Sequence, residues 1–303
     1  MSDQTEPILL TSRIASLAVG ASKTVDDIDA LKNPDKRPIF IDEVRFSLLN
    51  TARDTLVDPG MLGSIYLDLK LGRLPLTNGE VPLWLVDVTK NLYAFDRLSY
   101  VTWKFPKPLI VNPGVILMPT LRQIPSQFVS QAAVSVDITL VGRVIPNDQQ
   151  MPEESDVPYA SAFIGANVAM NADLRESSTE RNLANVTSRL LNVTHLTGRA
   201  LFTAAGFGGL FADANIESPD VTIKYVDLQI VNDQNEQIIR DRSRWGAIFP
   251  TPTGAWPMRS TLAPKSFYLA RINAAYATYA QAARKAQLQL ALLGYRRELL
   301  PTR

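Results

Sequence analysis

The sequence predicts an all-β protein built from two tandem β-sandwich units. Runs in which apolar and polar residues alternate recur along the chain, and this period of two is typical of half-buried strands. Several of these runs return in the same order about 152 residues later. The 20 prolines, many of them beside such runs, favour strand edges and loops over a helix bundle.

The repeat is defined first by four anchor positions that share one offset of 152 residues. In the first half they are Val115, Leu117, Val136 and Gly142, and in the second half Phe267, Leu269, Leu288 and Gly294. Upstream, residues 65–71 and the turn 77–81 resemble residues 224–230 and 234–238, with an offset of 157 to 159. A spacing kept over separate strands predicts a duplicated domain. The alternative is that any two β-domains share such alternation.

Strands are predicted in order along both halves. In the first half they span residues 39–49, 64–71, 82–88, 99–105, 115–121 and 134–145. In the second half they begin near residue 192 and continue over 221–231, 237–241, 247–250, 265–272 and 288–295. Residues 274–286 are rich in alanine and predict a helix, because alanine has the highest helix propensity. Residues 123–133 take the corresponding place in the first half and predict a shorter helical turn.

Composition divides the chain into four segments. Residues 1–38 have mixed character and end in a proline-rich hinge, so we expect an N-terminal arm. Residues 39–145 are predicted as the first β unit, residues 146–189 as a linker and surface loop, and residues 190–303 as the second unit. A chain of 303 residues suits two such domains better than one core.

Charge and cysteine content exclude several classes of protein. The 31 basic and 30 acidic residues leave a net charge of +1, so no overall field attracts nucleic acid or anionic lipid. The chain has no cysteine, which excludes disulfides, thiolate metal sites and cysteine nucleophiles and fits a reducing cytoplasm. No run approaches the ~20 apolar residues of a membrane span, and the N-terminus does not resemble a secretion signal.

The sequence offers few candidates for catalysis. His195 is the single histidine, and we expect it to be structural rather than catalytic. Residues 206–209 are rich in glycine but lack the dinucleotide-binding spacing, so they predict a loop. Neither a phosphate-binding loop nor a nucleophile elbow is present. The sequence therefore predicts no catalytic residue, no cofactor and no metal ligand, and favours a structural or binding protein over an enzyme.

Three further patterns have alternative interpretations. Residues 232–236 carry oxygen atoms that suit Ca²⁺, but their alignment with residues 77–80 favours a hairpin turn. Asn185 and Asn192 lie in glycan-acceptor triplets, which matter only in a secreted protein. Four tryptophans would line a sugar site or, as we favour, act as buried anchors at sheet or subunit contacts: Trp84, Trp103, Trp245 and Trp256.

Two strand-rich units, an N-terminal arm and a helical insertion before the last strand together resemble the double jelly-roll major capsid proteins. This lineage includes the tailless membrane-containing bacteriophages, related archaeal viruses and the adenovirus hexon. The resemblance covers about residues 39–297 and lies in architecture, since the family shares almost no sequence signature. It implies that each unit is an eight-stranded jelly roll with short flanking helices, of which residues 274–286 would be one.

The resemblance also implies a function and partners. Three chains would form a homotrimer with a pseudo-hexameric outline, and such trimers would contact neighbouring capsomers and tile an icosahedral capsid. The arm would reach a neighbouring subunit, minor capsid proteins or an underlying membrane, and no specific binding of nucleic acid is expected. The implied location is the virion, after assembly in the host cytoplasm.

Two other functions compete with the capsid interpretation. A carbohydrate- or receptor-binding tandem β-sandwich protein, such as a viral spike or a lectin-like protein, would place its tryptophans in an exposed groove. A cupin-like enzyme with two jelly rolls would need clustered metal ligands, which a chain with one histidine supplies poorly.

Overall fold

The computed structural model describes most of the chain. The described residues are 6–52, 59–88, 100–126, 131–145, 152–169, 173–174, 183–202, 226–234, 236–244, 248–249, 255–274 and 285–301. They form nineteen β-strands, and three 3₁₀ helices at Asp29–Leu31, Pro59–Gly63 and Leu83–Leu85.

The first unit is a sandwich of two antiparallel sheets. Its strands are β1 (Pro7–Leu17), β2 (Ser22–Thr24), β3 (Ile39–Asn50), β4 (Ile65–Leu71), β5 (Leu74–Pro75), β6 (Thr77–Asn78), β7 (Val81–Pro82), β8 (Tyr100–Val111), β9 (Leu117–Gln123) and β10 (Val134–Val144). Sheet I has the order β1-β10-β3-β8, and sheet II has the order β2-β9-β4-β5 with β7 beside β4. The chain therefore alternates between the two sheets, which is the winding of a jelly roll.

The second unit repeats this winding. Its strands are β11 (Glu154–Ala169), β12 (Asp173–Leu174), β13 (Leu183–Ala184), β14 (Leu191–Phe202), β15 (Val226–Asn232), β16 (Gln237–Arg244), β17 (Ala255–Leu262), β18 (Phe267–Ala274) and β19 (Lys285–Leu299). Sheet III has the order β11-β19-β14-β17, and sheet IV has the order β12-β18-β15-β16 with β13 beside β18. Strand for strand this is the order of sheets I and II. The predicted pair of tandem jelly rolls is confirmed.

A glycine opposite a bulge marks the same position in both units. Gly142 on β10 faces a register shift in β3, and Gly294 on β19 faces one in β14. A Cβ atom would lie 1.9 Å from the Phe40 carbonyl oxygen at the first site, and 2.2 Å from the Asn192 carbonyl oxygen at the second. No other residue fits so close to a backbone. The predicted equivalence of Gly142 and Gly294 is confirmed.

A buried asparagine is also repeated, and we call the two sites the asparagine clamps. Asn33 lies between β2 and β3, and Asn185 between β13 and β14. Gly114 and Lys265, whose φ angles are 75° and 62°, donate backbone N–H groups to their carbonyls at 3.2 and 2.9 Å. Each side-chain amide donates to one carbonyl in its own loop and one at the end of a strand: Arg37 and Val111 for Asn33, Arg189 and Leu262 for Asn185.

The predicted equivalence of Val115 and Phe267 is wrong by one residue. The Asn33 backbone N–H donates to the Val115 carbonyl, and the Asn185 backbone N–H donates to the Ser266 carbonyl. Val115 therefore corresponds to Ser266, an offset of 151 rather than 152. A shift of one residue turns every side chain of a strand to the other face, so the choice between the two offsets matters. The backbone hydrogen bonds of this loop support the offset of 151.

The predicted N-terminal arm, residues 1–38, is corrected by the structure. Residues 7–17 form β1, which pairs antiparallel with β10, and Ile14 and Leu17 are fully buried in the first core. Residues 22–24 form β2 and pair with β9. The outward positions of an edge strand accept polar side chains such as Arg13, and this interruption hid the strand from the sequence pattern. These residues supply the first two strands of the first jelly roll.

Two other sequence expectations differ from the structure, and two more lie wholly or almost wholly outside the described residues. The predicted linker and loop, residues 146–189, contains β11, which pairs with β19 in sheet III. The predicted strand 82–88 instead contains the 3₁₀ helix Leu83–Leu85, whose three side chains are buried. The predicted helix 274–286 lies almost entirely outside the described residues, as does the glycine-rich loop 206–209.

Candidate functional site: the seam between the two units

The two units meet along a seam at which residues 59–88 of the first unit cover the outer face of sheet III. The inner face of this sheet packs in the second core, so both faces are buried. Thr197, Arg199 and Gln289 point from the outer face and have no exposed surface. Ala291 and Leu293, on the same face, are part of the first unit's apolar core. Sheet III therefore contributes one face to each of the two apolar cores.

Gln289 is the centre of the hydrogen bonds in the seam. Its Oε1 accepts the indole N–H of Trp84 at 2.5 Å, and its Nε2 donates to the Gly63 carbonyl at 2.8 Å. Nearby, the Thr197 hydroxyl donates to the Leu85 carbonyl at 2.8 Å. Removing one partner of a buried hydrogen bond lowers the stability by about 1–3 kcal/mol, because the remaining polar group then has neither water nor a protein group to bond with. These contacts hold the two units in one orientation.

Two buried arginines of the second unit donate to backbone carbonyls of the first. Arg199 donates to the Asp87 carbonyl at 3.4 Å, and Arg296 to the Pro75 carbonyl at 2.7 Å. The Arg296 guanidinium also lies over the Tyr159 ring, 4.9 Å from its centre. Burial raises the pKa of the Tyr159 hydroxyl, which keeps its proton and donates it in a hydrogen bond to the Ala184 carbonyl. The planar guanidinium of Arg296 therefore donates to a carbonyl and lies over an aromatic ring at the same time, which the ammonium group of a lysine would not do.

A short strand of the first unit extends sheet III beyond β11. Strand β6 pairs in parallel with β11, with Thr77 opposite Ala160 and Asn78 opposite Ser161. The Ala160 backbone N–H donates to the Leu76 carbonyl at 3.0 Å. An edge strand that would otherwise present unpaired backbone groups is therefore partly covered within the chain.

A cavity of about 280 Å³ opens at one end of the seam and is lined by both units. The first unit contributes Trp103 and Lys104, and the second contributes His195 and Leu293. Burial lowers the pKa of His195. The described lining contains an imidazole and an ammonium group but no carboxylate.

Two of the four tryptophans are buried, as expected of anchors and not of a sugar site. Trp84 and Trp103 are 1% and 2% exposed, and Trp103 packs edge-on against Phe105. Trp256 is partly buried against the second core. The expectation of buried anchors is confirmed for Trp84 and Trp103, whereas Trp245 lies outside the described residues.

The remaining candidates have structural roles. Asn185 is fully buried in its clamp, so it cannot carry a glycan. In the turn between β15 and β16, the Asn232 side-chain oxygen accepts the backbone N–H groups of Gln234 and Glu236 at 3.0 and 2.8 Å. The expected hairpin turn is therefore confirmed. Among the described residues, no group of His, Asp or Glu side chains is arranged to hold a metal ion. In the same ranges no helix is long and apolar enough to cross a membrane.

The polar residues of the seam match no sequence motif. No motif includes Gln289, Arg199 or Arg296, and each lies within a strand. The one available signal was the run 288–293, in which Gln289 is the single polar side chain. Such a nearly continuous apolar run is typical of a strand with both faces buried.

Comparisons with known proteins add the following. No protein-family model matches the chain, and no curated protein matches it. Among solved structures, the chain is similar to the STIV MCP, with 13% identity, a TM-score of 0.49 and 97% of each chain covered. It is similar to the major capsid protein P2 from bacteriophage PM2, with 8% identity, a TM-score of 0.42 and 98% of each chain covered.

A third similar structure is peptide-N(4)-(N-acetyl-β-D-glucosaminyl) asparagine amidase, with 10% identity, a TM-score of 0.37 and 98% of each chain covered. At these values the likenesses carry no functional weight. The strand order of the chain itself defines its two jelly rolls.

Proposed function

We propose that this chain is a structural viral protein, a major capsid protein that tiles an icosahedral shell. The observation that carries the proposal is the pair of jelly rolls with one strand order, fixed side by side by a buried seam. Jelly rolls serve as viral capsid domains, lectins and cupins. A rigid pair of like units suits a shell, because each chain then presents two similar sets of lateral surfaces.

In this proposal three chains form a homotrimer. Two like units in each chain give six similar lobes around a threefold axis, which is a pseudo-hexameric outline that packs without gaps against neighbouring capsomers. Closed rotational symmetry also prevents open-ended growth of the particle. A net charge of +1 keeps repulsion low between many adjacent copies.

The proposal includes the location and the further partners. The chain would reside in the virion after assembly in the host cytoplasm, without specific binding of nucleic acid. Contacts with minor capsid proteins or an underlying membrane would use the exposed surface of the folded units, because residues 7–17 and 22–24 are strands of the first unit and not a free arm.

We infer a role without catalysis. The seam cavity has no carboxylate beside His195 among its described lining residues, and Trp84, Thr197 and Arg296 each donate a hydrogen bond across the seam to Gln289 or to a backbone carbonyl. The carbohydrate- or receptor-binding alternative requires exposed aromatic rings. Trp84 and Trp103 do not favour it, because both are buried.

Negative-stain electron microscopy of the purified chain, combined with a glycan array, tests the proposal. We expect closed shells or six-lobed particles and no glycan binding above background. Discrete single chains that bind glycans would support a spike or lectin-like protein instead. Release of glycans from a glycopeptide would show an enzyme.

A further inference from the structure

The outer face of sheet I is exposed where the corresponding face of sheet III is buried. The two faces correspond by register, because Leu9 pairs with Val141 in sheet I as Ala160 pairs with Leu293 in sheet III. Leu9 is 65% exposed, whereas Ala160 is fully buried and Leu293 is 4% exposed. A large apolar side chain therefore stands in solvent at the position that the seam covers in the other unit.

The centre of the face shows the same difference. Thr139 pairs with Arg45 in sheet I, as Ala291 pairs with Thr197 in sheet III. Ala291 and Thr197 have no exposed surface. The Arg45 side chain is 46% exposed. The contrast therefore extends across β10 and β3 and is not confined to one edge.

The edges of the two sheets differ in the same direction. Strand β11 pairs with β19 on one side and with β6 of the first unit on the other. Within the described ranges, β1 pairs with β10 alone, and Asp26 covers its other edge at Arg13 and Ala15 through two hydrogen bonds of 2.7 Å. Every second residue from Pro7 to Arg13 is exposed along this strand. The rest of the edge, residues 7–11, carries an exposed leucine and is a template for pairing with another chain.

The chemistry of the face suits a neutral protein surface. Its charges are already paired, Arg13 with Asp137 at 2.6 Å and Arg45 with Glu43. A face without net charge has little attraction for nucleic acid or anionic lipid, and it suits a chain whose own net charge is +1. At ordinary strand spacings, three strands about ten residues long cover roughly 500 Å². That is more than half of the about 800 Å² that each partner buries in a standard interface.

We propose that the outer face of β1, β10 and β3, together with the β1 edge, binds the second unit of another copy of this chain. The contact would reproduce between chains what residues 59–88 do within one chain. It is heterologous, because first and second units present different surfaces, and it closes into a ring only for a suitable rotation. The inference rests on the proposed function, since it names the surface through which the proposed trimer forms.

The chain offers a matched pair of substitutions to test this. Thr139 on the outer face of sheet I shares a 3.2 Å hydroxyl contact with Thr11, and Thr120 on the outer face of sheet II shares one of 3.2 Å with Thr24. We expect Thr139→Arg to raise the concentration at half-assembly at least tenfold, as a charged bulky side chain at the centre of an interface does. Thr120→Arg should assemble as the wild-type chain does. Mass photometry over a concentration series measures both, and thermal unfolding checks that both variants fold.

A photo-cross-linking residue at Leu9 gives an independent readout if Thr139→Arg fails to fold. We expect cross-links between chains to peptides within residues 154–301 of a second copy. A Thr139→Arg chain that folds and assembles normally, or cross-links only to first-unit peptides, would overturn the inference while leaving the proposed function intact. A wild-type chain that stays single at micromolar concentration would overturn both.

Discussion

The two units share one winding but differ in what covers the sheet that holds the first and last strands of each. Sheet III is buried on both faces, between its own core and residues 59–88, whereas the outer face of sheet I is exposed. The last strands reflect this difference: residues 136–141 read VDITLV, and residues 288–293 read LQLALL. Alternation is typical of a sheet with one face in water, and a continuous apolar run of a sheet covered on both sides. The two units therefore differ in sequence according to their surroundings while sharing one fold.

The largest expected effect tests what the units share. Gly142→Ala and Gly294→Ala each place a methyl group against a backbone carbonyl, 1.9 and 2.2 Å away, where no side-chain movement relieves the clash. We expect each to lower the free energy of unfolding by about 3 kcal/mol. Chemical denaturation measures the loss. Gly79→Ala is the control: its φ is 69° but nothing lies within 4 Å of the added atom, so the cost should be about 1–2 kcal/mol. A tolerated substitution at either buried glycine would contradict the shared bulge.

The next largest effect tests what the units do not share. Gln289 and Asp137 occupy corresponding positions on β19 and β10, but the first is buried in the seam and the second lies on the exposed face. Gln289→Ala leaves the Trp84 indole N–H and the Gly63 carbonyl without their partner, so we expect a loss of about 2–3 kcal/mol. Asp137→Ala breaks a partly exposed ion pair and should cost less than about 1 kcal/mol. Equal losses in equilibrium unfolding would contradict the described difference.

The asparagine clamps provide a comparison in which the units should respond alike. Asn33→Ala and Asn185→Ala each remove at least two side-chain hydrogen bonds to backbone carbonyls in a buried site. We expect each to cost about 2 kcal/mol. Asn78→Ala, which removes one longer contact of 3.3 Å to Ser161, should cost less than either. Thermal unfolding of the three variants decides this, and a large difference between the two clamp variants would show that their roles have diverged.

The smallest effect concerns pH, through His195. Burial lowers its pKa in the folded chain below the ordinary value of 6.5, which the unfolded chain retains. Between these two values the unfolded state binds the proton and the folded state does not, so stability falls as pH falls. The thermal midpoint of the wild-type chain should therefore drop more between about pH 7.5 and pH 5.5 than that of His195→Gln. Identical pH profiles would show that the seam cavity does not disfavour the imidazolium ion.

Much of the architecture could be predicted from the sequence, because the alternation of apolar and polar residues and the spacing of the repeat can be seen in the sequence itself. The offset of 152 located corresponding residues on β10 and β19, including Gly142 and Gly294. The offset of 152 failed at Val115, which corresponds to Ser266 at an offset of 151. The alternation pattern did not predict β1, because Arg13 interrupts the apolar residues at an outward position of this edge strand.

The seam could not be predicted from such local signals. Gln289 and Trp84 lie 205 residues apart, and their hydrogen bond depends on how two separate sandwiches pack. The run 288–293 indicated burial on both faces but not which segment provides the cover. A sequence pattern reports the environment of a residue, whereas the identity of its distant partner requires the structure.

We propose that two like units in one chain assemble with copies of themselves into a closed particle. Mass photometry of the purified chain at micromolar concentration is the decisive measurement. We expect a dominant species of three chains, with larger assemblies as multiples of it. A single species of one chain across the accessible concentration range would contradict it.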